Sequence, residues 1–294
     1  MKIAFLACPA TLPGSPSRRP DAFEHDLLFA ALDAGLAGRA ELTSIDWQAP
    51  LDKLTGFDVA YLGTPWDYTE HKDAFLTRLD ALEAAGVKVC NSAEIVRWNA
   101  DKLYLRELAA RGATSIPTLW PEAPSPVDLH AAFDHFGCER IVVKRRVGAG
   151  ALGQDSFTRG DAAIDHWRMD QPAMIQPFLP AIQREGELSF IFVGGQFSHA
   201  LIKRAAGQDY RIQSLYGGTE VPLNPSTLDR AAAEGIMAML PFAAPPSYAR
   251  IDMVRLDSGA LAVIEAELIE PYLYPEQGPD FGAMLAAGVL GLAR

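Results

Sequence analysis

The sequence is short of the features that assign a chain quickly to a class. Its 294 residues hold three cysteines, Cys8, Cys90 and Cys138, an odd number with no C-x-x-C spacing. That fits a reducing compartment and no disulfide framework, so a cytoplasmic protein is expected. No apolar run approaches the roughly 20 residues of a membrane span, and the apolar start Ile3-Ala-Phe-Leu-Ala7 lacks the long h-region of a secretion signal. Positive charge is in deficit: 26 Lys and Arg against 37 Asp and Glu leave a formal net charge of −11. A nucleic-acid or anionic-membrane binder needs a basic footprint, so neither partner is expected. Any phosphate must be gripped by local cations. G-x-x-x-x-G-K-[ST] is absent and no helix-opening G-x-G-x-x-G follows the first strand, which removes P-loop and dinucleotide readings. Repeats and low-complexity tracts are lacking too, and no oligomer interface is legible, so a homodimer is only the common default.

What is present is a large apolar fraction, 49%, in a chain long enough for one core to split into two or three lobes. The first third alternates strand and helix: Lys2 to Ala7, Phe57 to Leu62 and Val87 to Cys90 read as strands, Asp21 to Leu36 and Glu70 to Ala85 as helices. The pattern predicts an α/β domain with a parallel sheet over 1–98, and such sheets present ligands at the carboxyl ends of their strands. Residues 8–19 and Gly63-Thr-Pro-Trp-Asp-Tyr68 fall there. Trp66, Asp67 and Tyr68, crowded in one loop, make the second the substrate candidate, although two aromatics covering a sheet edge explain it equally well. From Ser92 to Arg111 the pattern is helical, ending at Gly112. A central lobe over 99–185 is expected from strands at Ile116 to Trp120, Arg140 to Arg145 and Ala173 to Phe178, with helices near Val127 to Phe136 and Asp161 to Met169. A third lobe, 186–294, opens with strands Glu187 to Val193 and Phe197 to Lys203 about a Gly194-Gly195 turn, then a helix from Ser226 to Leu240.

Tyr248-Ala-Arg-Ile-Asp252 and Glu265-Ala-Glu267 flank a tight turn at Leu256-Asp-Ser-Gly259, so an antiparallel pair sets Asp252 across from Glu265. Glu265 and Glu267, two apart, share a strand face. Three hard oxygen ligands on one face suit Mg²⁺. A solvated acidic strand is the alternative. Apolar Ala262-Val-Ile264 and Leu268-Ile269 on either side weigh against it, because buried carboxylates need a counter-cation.

Arg140-Ile-Val-Val-Lys144 is a buried-strand pattern ending in a cation, followed by Val147-Gly-Ala-Gly-Ala-Leu-Gly153, where Gly148 and Gly150 let backbone N–H groups approach phosphate oxygens. Lys102 offers a second cation. Met174-Ile-Gln-Pro-Phe-Leu-Pro180 runs from an apolar strand into an extended hinge whose backbone can pair with an adenine edge, and Glu187 can accept ribose hydroxyls. Singly, each has a plain structural explanation. Their order, lysine, lysine with glycine loop, hinge, Glu, Asp, then Glu-x-Glu, is an inventory for nucleotide, phosphates and metal.

That order resembles the ATP-grasp superfamily from Asn99-Ala-Asp-Lys102 to Pro271, and within it the glutathione-synthetase-like branch, on Phe178 to Glu187, Gly217-Gly218 and Glu265-Ala-Glu267. Glu185-Gly-Glu-Leu-Ser-Phe190, Phe197-Ser-His-Ala200 with Lys203-Arg204, and Glu267-Leu-Ile-Glu-Pro-Tyr272 are similar to the group containing a cycloserine-forming ligase. The resemblance implies an ATP-grasp fold, α/β with α+β lobes, in which an amino-terminal parallel-sheet domain precedes two lobes clamping ATP. It places Lys102 and Lys144 on the α and β phosphates, and Gln176, Pro177, Phe178 and Leu179 against adenine. Glu187 falls on the ribose, and Lys203 or Arg204 at the γ phosphate. Arg250 and Arg211 would neutralise the transferring group, and Asp252, Glu265 and Glu267 would carry two Mg²⁺ ions. Trp66, Asp67, Tyr68, Gly217, Gly218 and Tyr272 would neighbour the substrate. Two positions depart from the common pattern: Arg145, where many members have Pro, and Glu267, where Asn is usual.

The activity so implied is ADP-forming carbon–nitrogen ligation. A small amino-acid-like carboxylate attacks the γ-phosphoryl of ATP, and an amine or a nitrogen of the same molecule displaces phosphate from the acyl phosphate. Positioning and charge stabilisation carry such a reaction, so no Ser-His-Asp or Cys-His arrangement is required. His199, in an apolar strand, reads as a satisfied structural residue or a substrate contact. Two other classes stand beside this one: a nucleotide-binding regulatory protein without turnover, for which Arg145 is the hint, and a kinase that stops at a phosphorylated carboxylate or hydroxyl.

Overall fold

A computed structural model describes residues 1–148, 153–205 and 217–292. Its first sheet is built by β1 (Lys2–Ala7), α1 (Phe23–Leu36), β2 (Glu41–Asp46), α2 (Leu51–Leu54), β3 (Val59–Thr64), α3 (Lys72–Ala84) and β4 (Lys88–Cys90). The strands lie in the order β2-β1-β3-β4, all parallel. Helices cover both faces, which is why β1 and β3 read as near-continuous apolar runs. β2 escapes periodicity because it sits half-exposed at the sheet edge with the mixed sequence Glu-Leu-Thr-Ser-Ile-Asp. The first helix begins two residues later than expected, since Pro20–Ala22 forms a 3₁₀ turn ahead of it.

α4 (Ala93–Asn99), capped by the Ser92 hydroxyl, and α5 (Tyr104–Ala110) lead to α6 (Pro126–Phe136), which opens on a Ser125/Asp128 capping box. β5 (Arg140–Arg145), β6 (Gln154–Thr158) and β7 (Ala173–Pro177) form an antiparallel sheet in the order β6-β5-β7. Ile141, Val143, Phe157 and Ile175 pack on Leu129 and Phe133 of α6. The pleat therefore turns Lys144 to the opposite face. Two expectations fail here. Ile116 to Trp120 is not a strand but touches others through single bridges, Ser115 with Val263 and Leu119 with Ile175; Pro117 withholds a ladder donor. Asp161 to Met169 is a short 3₁₀ turn, Ala162–His166, because Trp167 leaves the helix to pack on Phe157 and donate to Asp155.

The third sheet follows: α7 (Ala181–Arg184), β8 (Glu187–Val193), β9 (Gln196–Arg204), β10 (Thr219–Leu223), α8 (Thr227–Ala238), β11 (Tyr248–Arg255), β12 (Leu261–Glu267) and α9 (Phe281–Leu292). Its antiparallel order is β10-β9-β8-β11-β12. Gly194 and Gly195, at φ 56° and 78°, make the expected tight turn. β10 and α9 were not anticipated. α9 crosses back to the first domain, where a Cβ on Gly35 would stand 2.0 Å from the Gly282 carbonyl oxygen, so the α1–α9 approach requires glycine. Among the described residues no helix is long and apolar enough to cross a membrane.

Buried amides lock the first domain to the third sheet. Asn91 Nδ2 donates to the carbonyls of Tyr248 (2.9 Å) and Leu268 (2.8 Å), and its Oδ1 accepts from Ser247 N (2.6 Å). Asn99 donates to Ala266 O and accepts from Leu268 N, while the Tyr104 hydroxyl accepts from Ala266 N. The Tyr248 hydroxyl points into the carbonyls of Leu62, Cys90 and Ile269. Asn91→Ala leaves three buried backbone groups unpaired and is expected to lower unfolding free energy by about 3 kcal/mol, read from urea denaturation. In the first domain His25 is 1% exposed, with Nδ1 2.7 Å from Thr64 Oγ1 and Nε2 2.9 Å from Ser44 Oγ. Burial lowers its pKa to about 4. The unfolded chain then takes up a proton that the folded one refuses as pH falls from about 6.5 to about 4. Over that window the melting-temperature advantage of the native protein over His25→Gln is expected to shrink.

Candidate active site

Strand register gathers the charged residues. β11 sets Arg250 across from Glu267 and Asp252 across from Glu265, and on its other side Asp252 faces Ser189 of β8. β8 in turn sets Glu187 across from Lys203 of β9. One face of the sheet thus carries Lys203, Glu187, Ser189, Asp252, Arg250, Glu265 and Glu267. Arg204, next in the chain, falls on the other side, exposed, donating to Glu185 O.

The charges alternate. Lys203 Nζ, in a residue 4% exposed, lies 2.5 Å from Glu187 Oε1 and 3.2 Å from Asp252 Oδ2. Arg250 Nε lies 3.1 Å from both Asp252 oxygens, its Nη2 2.5 Å from Glu267 Oε1, and its Nη1 donates to Tyr272 O (2.9 Å). The Ser189 hydroxyl donates to Asp252 Oδ1. Burial alone would raise Asp252, but Arg250 and Lys203 hold it at about 2. Burial pushes Glu187 and Glu267 up to about 7, against the pull of Lys203 on the first and Arg250 on the second. Burial and Arg250 disfavour the Lys203 ammonium, yet Asp252 and Glu187 prevail and raise it.

Two cations stand near this row, Lys102 from the turn between α4 and α5 and Lys144 from the central sheet. Lys102 Nζ lies 2.7 Å from Glu265 Oε1 and donates to Gly148 O (2.7 Å). Its backbone N–H bonds to Arg146 O, and Arg146 forks onto Asp101 (3.0 and 2.6 Å) and reaches Glu122. Arg146 was not foreseen: it stands two residues past Lys144, but only folding shows that it holds the turn carrying Lys102. The Lys144 ammonium makes no hydrogen bond or ion pair among the described residues, and burial lowers its pKa although Glu265 and Glu187 oppose. At the hinge, Gln176 Nε2 donates to Thr118 Oγ1. Pro177 pairs with Ile141, Phe178 N donates to Arg140 O beneath the Arg140 guanidinium, and Leu179 packs beside Ile116 and Ala181.

The ready-made metal cage expected of Asp252, Glu265 and Glu267 is not formed: among the described residues no three acidic, histidine or cysteine side chains are grouped to hold an ion. Each carboxylate has turned to its nearest cation, as burial demands. The donor set, oxygen only and on one sheet face, still has the chemistry magnesium prefers.

The remaining candidates divide. Asp67 is taken up by the fold, accepting from Trp47 Nε1 (2.7 Å) and Gln48 Nε2 (2.9 Å), and Trp66 lies beneath Arg19. Tyr68 is buried against Phe75 and turned toward the carboxylates. Tyr272 gives its carbonyl to Arg250 and its hydroxyl to Glu276. Gly217 is exposed at φ 79° just ahead of β10, with Gly218 beside it. Gly150 and Arg211 lie outside the described residues. His199 is structural, its Nε2 3.1 Å from Leu273 O. Besides Arg146, two residues were missed: Tyr274, left-handed at φ 46° with its ring 5.8 Å from the Arg250 guanidinium, and Glu270, strongly desolvated beside Glu267. A Glu-Pro-Tyr-Leu-Tyr run shows acids and aromatics but not which way they point.

Residues 3–91 match the family described as D-cycloserine synthetase DcsG, N-terminal domain. The chain is 27% identical over 249 residues, 78% of its own length and 81% of the relative's, to the cycloserine biosynthesis protein DcsG of Streptomyces lavendulae. The crystal structure of D-cycloserine synthetase DcsG superposes over 100% of both chains with TM-score 0.83 at 22% identity. A D-alanine–D-alanine ligase from Bacillus anthracis complexed with ATP matches all of this chain and 97% of its own with TM-score 0.70 at 16% identity. The ATP-grasp ligase PsnB, with magnesium and ADP, matches 99% and 98% with TM-score 0.66 at 16% identity. The fold is the ATP-grasp fold. Lys203→Met strands Glu187 without a cation and leaves Asp252 with Arg250 alone, and is expected to cost about 3–5 kcal/mol in urea unfolding, as for a broken buried ion pair.

Proposed function

We propose, on the ATP-grasp fold, that the protein is an ATP-dependent carbon–nitrogen ligase that activates a small amino-acid-like carboxylate as an acyl phosphate and joins or cyclises it with a nitrogen. One observation carries the reading: Lys102 pairs with Glu265 and Lys144 lies within the field of Glu265 and Glu187, so two lysines from the central part of the chain stand beside the carboxylate row Asp252, Glu265 and Glu267 of the third sheet. Cations set beside hard oxygens are what a metal-bound triphosphate needs. Its relatives by sequence and shape include proteins named as ligases and a cycloserine synthetase.

On this reading Lys102 and Lys144 take the phosphates, and Lys102 exchanges Glu265 for a phosphate oxygen as nucleotide enters. Lys144, desolvated and without an ion pair among the described residues, is already prepared for an anion. The Gln176 to Leu179 backbone borders adenine and Glu187 the ribose. Arg250, already bound to Asp252, Glu267 and Tyr272 O, is fixed in place and offers its charge to the transferring phosphoryl without reorganising. Magnesium held by Asp252, Glu265 and Glu267, two ions on this reading, supplies charge neutralisation at the phosphates when bound. Burial of the site shields the acyl phosphate from water until the nitrogen attacks.

The test is an ADP-release screen over amino acids and their aminooxy and ureido derivatives, with product analysis. Magnesium ATP is expected to raise the melting temperature, ADP to appear only with the right acid, and Glu265→Gln to lose roughly a hundredfold or more in turnover. Equal turnover by Glu265→Gln overturns the metal assignment. A stable phosphorylated product identifies a kinase instead, and a thermal shift with no ADP from any acid identifies a binding protein.

A further inference from the structure

The segment after β12 is held more firmly than a loop requires. Leu268 N donates to Asn99 and Leu268 O accepts from Asn91. Ile269 O accepts from the Tyr248 hydroxyl, and Tyr272 O accepts from Arg250. Pro271 fixes φ between them. The residue so positioned is Glu270, half-buried, for which no lysine or arginine forms an ion pair among the described residues. Its neighbours each have a cation: Glu187 and Asp252 have Lys203, Asp252 and Glu267 have Arg250, and Glu265 has Lys102. Glu270 feels Lys102 only at a distance, and Glu267 and Glu265 work against it, so burial and then Glu267 raise it well above the usual carboxyl range.

A second group turns to the same place. Tyr68, from the loop after β3 of the first domain, is 6% exposed and packs in one cluster with Ile269, the residue before Glu270. Its hydroxyl makes no hydrogen bond among the described residues. Of the acidic groups acting on that phenol, Glu270 is the strongest, ahead of Glu265 and Glu267. A phenol whose hydroxyl has no hydrogen-bond partner among the described residues and a carboxyl without a cation, brought to one place by the domain-spanning hydrogen bonds, leave a small cationic donor wanting between them. A metal is a poor fit, because a phenol that stays protonated offers a metal little. An ammonium suits both, with N–H groups to give to carboxylate and phenol oxygen.

We propose that Glu270 and the Tyr68 hydroxyl form the subsite for the ammonium group of an α-amino acid substrate, on the first-domain side of the carboxylate row. The inference rests on the ligase reading and deepens it. The acid's carboxylate lies toward Arg250 while its ammonium is drawn toward Glu270, so the pair selects amino acids over plain carboxylic acids. No amine nitrogen that the enzyme must use as nucleophile is placed here, because an ammonium held by a carboxylate has no lone pair to attack with.

The test uses the full chain with magnesium and ATP, or a non-hydrolysable ATP analogue for calorimetry. The probes are α-amino acids of both hands with their aminooxy and ureido derivatives, each matched to its des-amino analogue. The native protein is expected to favour the amino acid by about tenfold or more in affinity and in KM for ADP release. Glu270→Gln should collapse that preference by raising KM for the amino acid alone, and Tyr68→Phe should reduce it in part. Both variants should keep the nucleotide-induced thermal shift, which reports that the site has folded. A preference that survives Glu270→Gln within about twofold, or a native protein that handles the two series alike while releasing ADP, overturns the subsite and leaves the ligase reading standing. If no acid of either series binds or releases ADP, the ligase reading has failed and the subsite fails with it.

Discussion

The architecture of the site depends on one constraint: carboxylates removed from water must be answered by cations. On the third sheet this produces a line of alternating charge, Glu187, Lys203, Asp252, Arg250, Glu267, in which Lys203 and Arg250 each serve two acids. Such a line is costly to desolvate and contributes little net stability compared with an apolar patch. Its worth lies in pre-arrangement. On the proposed reading, Lys102 and the acidic oxygens turn from each other to phosphate and metal without leaving the places the fold has set for them, while Arg250 stays where it is. The carboxyls of Glu187 and Glu267, raised to about 7 by burial, show how close the arrangement stands to carrying too much negative charge on its own.

The first domain takes part in this site through its rigid attachment. Asn91, Asn99, Tyr104 and Tyr248 satisfy backbone groups on the strand and segment that carry Glu265, Glu267 and Glu270. Glycine against glycine at the α1–α9 crossing draws the carboxyl-terminal helix onto the first sheet. A loop on the first domain, which would otherwise be a mobile connection, thereby delivers Tyr68 to a fixed place beside the acidic row. Position in the loop decides the outcome for three adjacent residues. Trp66 is covered by Arg19, Asp67 is consumed by Trp47 and Gln48, and Tyr68 alone turns inward.

Where secondary structure was set by local rules, it was legible. The β1 and β5 boundaries, the Gly194-Gly195 turn, the antiparallel pair about Leu256 to Gly259 and the pairing of Asp252 with Glu265 all follow from alternation and turn chemistry. Where an edge or a tertiary contact overrode the pattern, it was not. β2 and β10 are partly exposed edge strands with mixed sequences, the run at Ile116 is interrupted by Pro117, and Trp167 ends a helical pattern by packing on Phe157. In the candidate site, Lys102, Lys144, Glu187 and the three carboxylates could be named because order along the chain singles them out, and Lys203 and Arg250 because the family resemblance pointed to them. Arg146, Glu270 and Tyr274 could not, since each acts through a neighbour remote in sequence or through a direction of side chain that no spacing records.

Composition and order alone determined that this chain would bury a large core, carry no disulfide framework, and set lysines, a glycine loop and paired acids in one succession along the chain. Those are properties of residue type and short-range periodicity, which a chain has before it folds. Tertiary structure decided which acid each cation neutralises, why the three carboxylates lie against lysine and arginine and do not close into a cage, and which single aromatic of the first domain meets them. These outcomes turn on distances of a few ångströms between strands from different lobes. The energy of a charge pair changes severalfold with separation and burial over that range, so the choice of partner exists only once the sheets are in place.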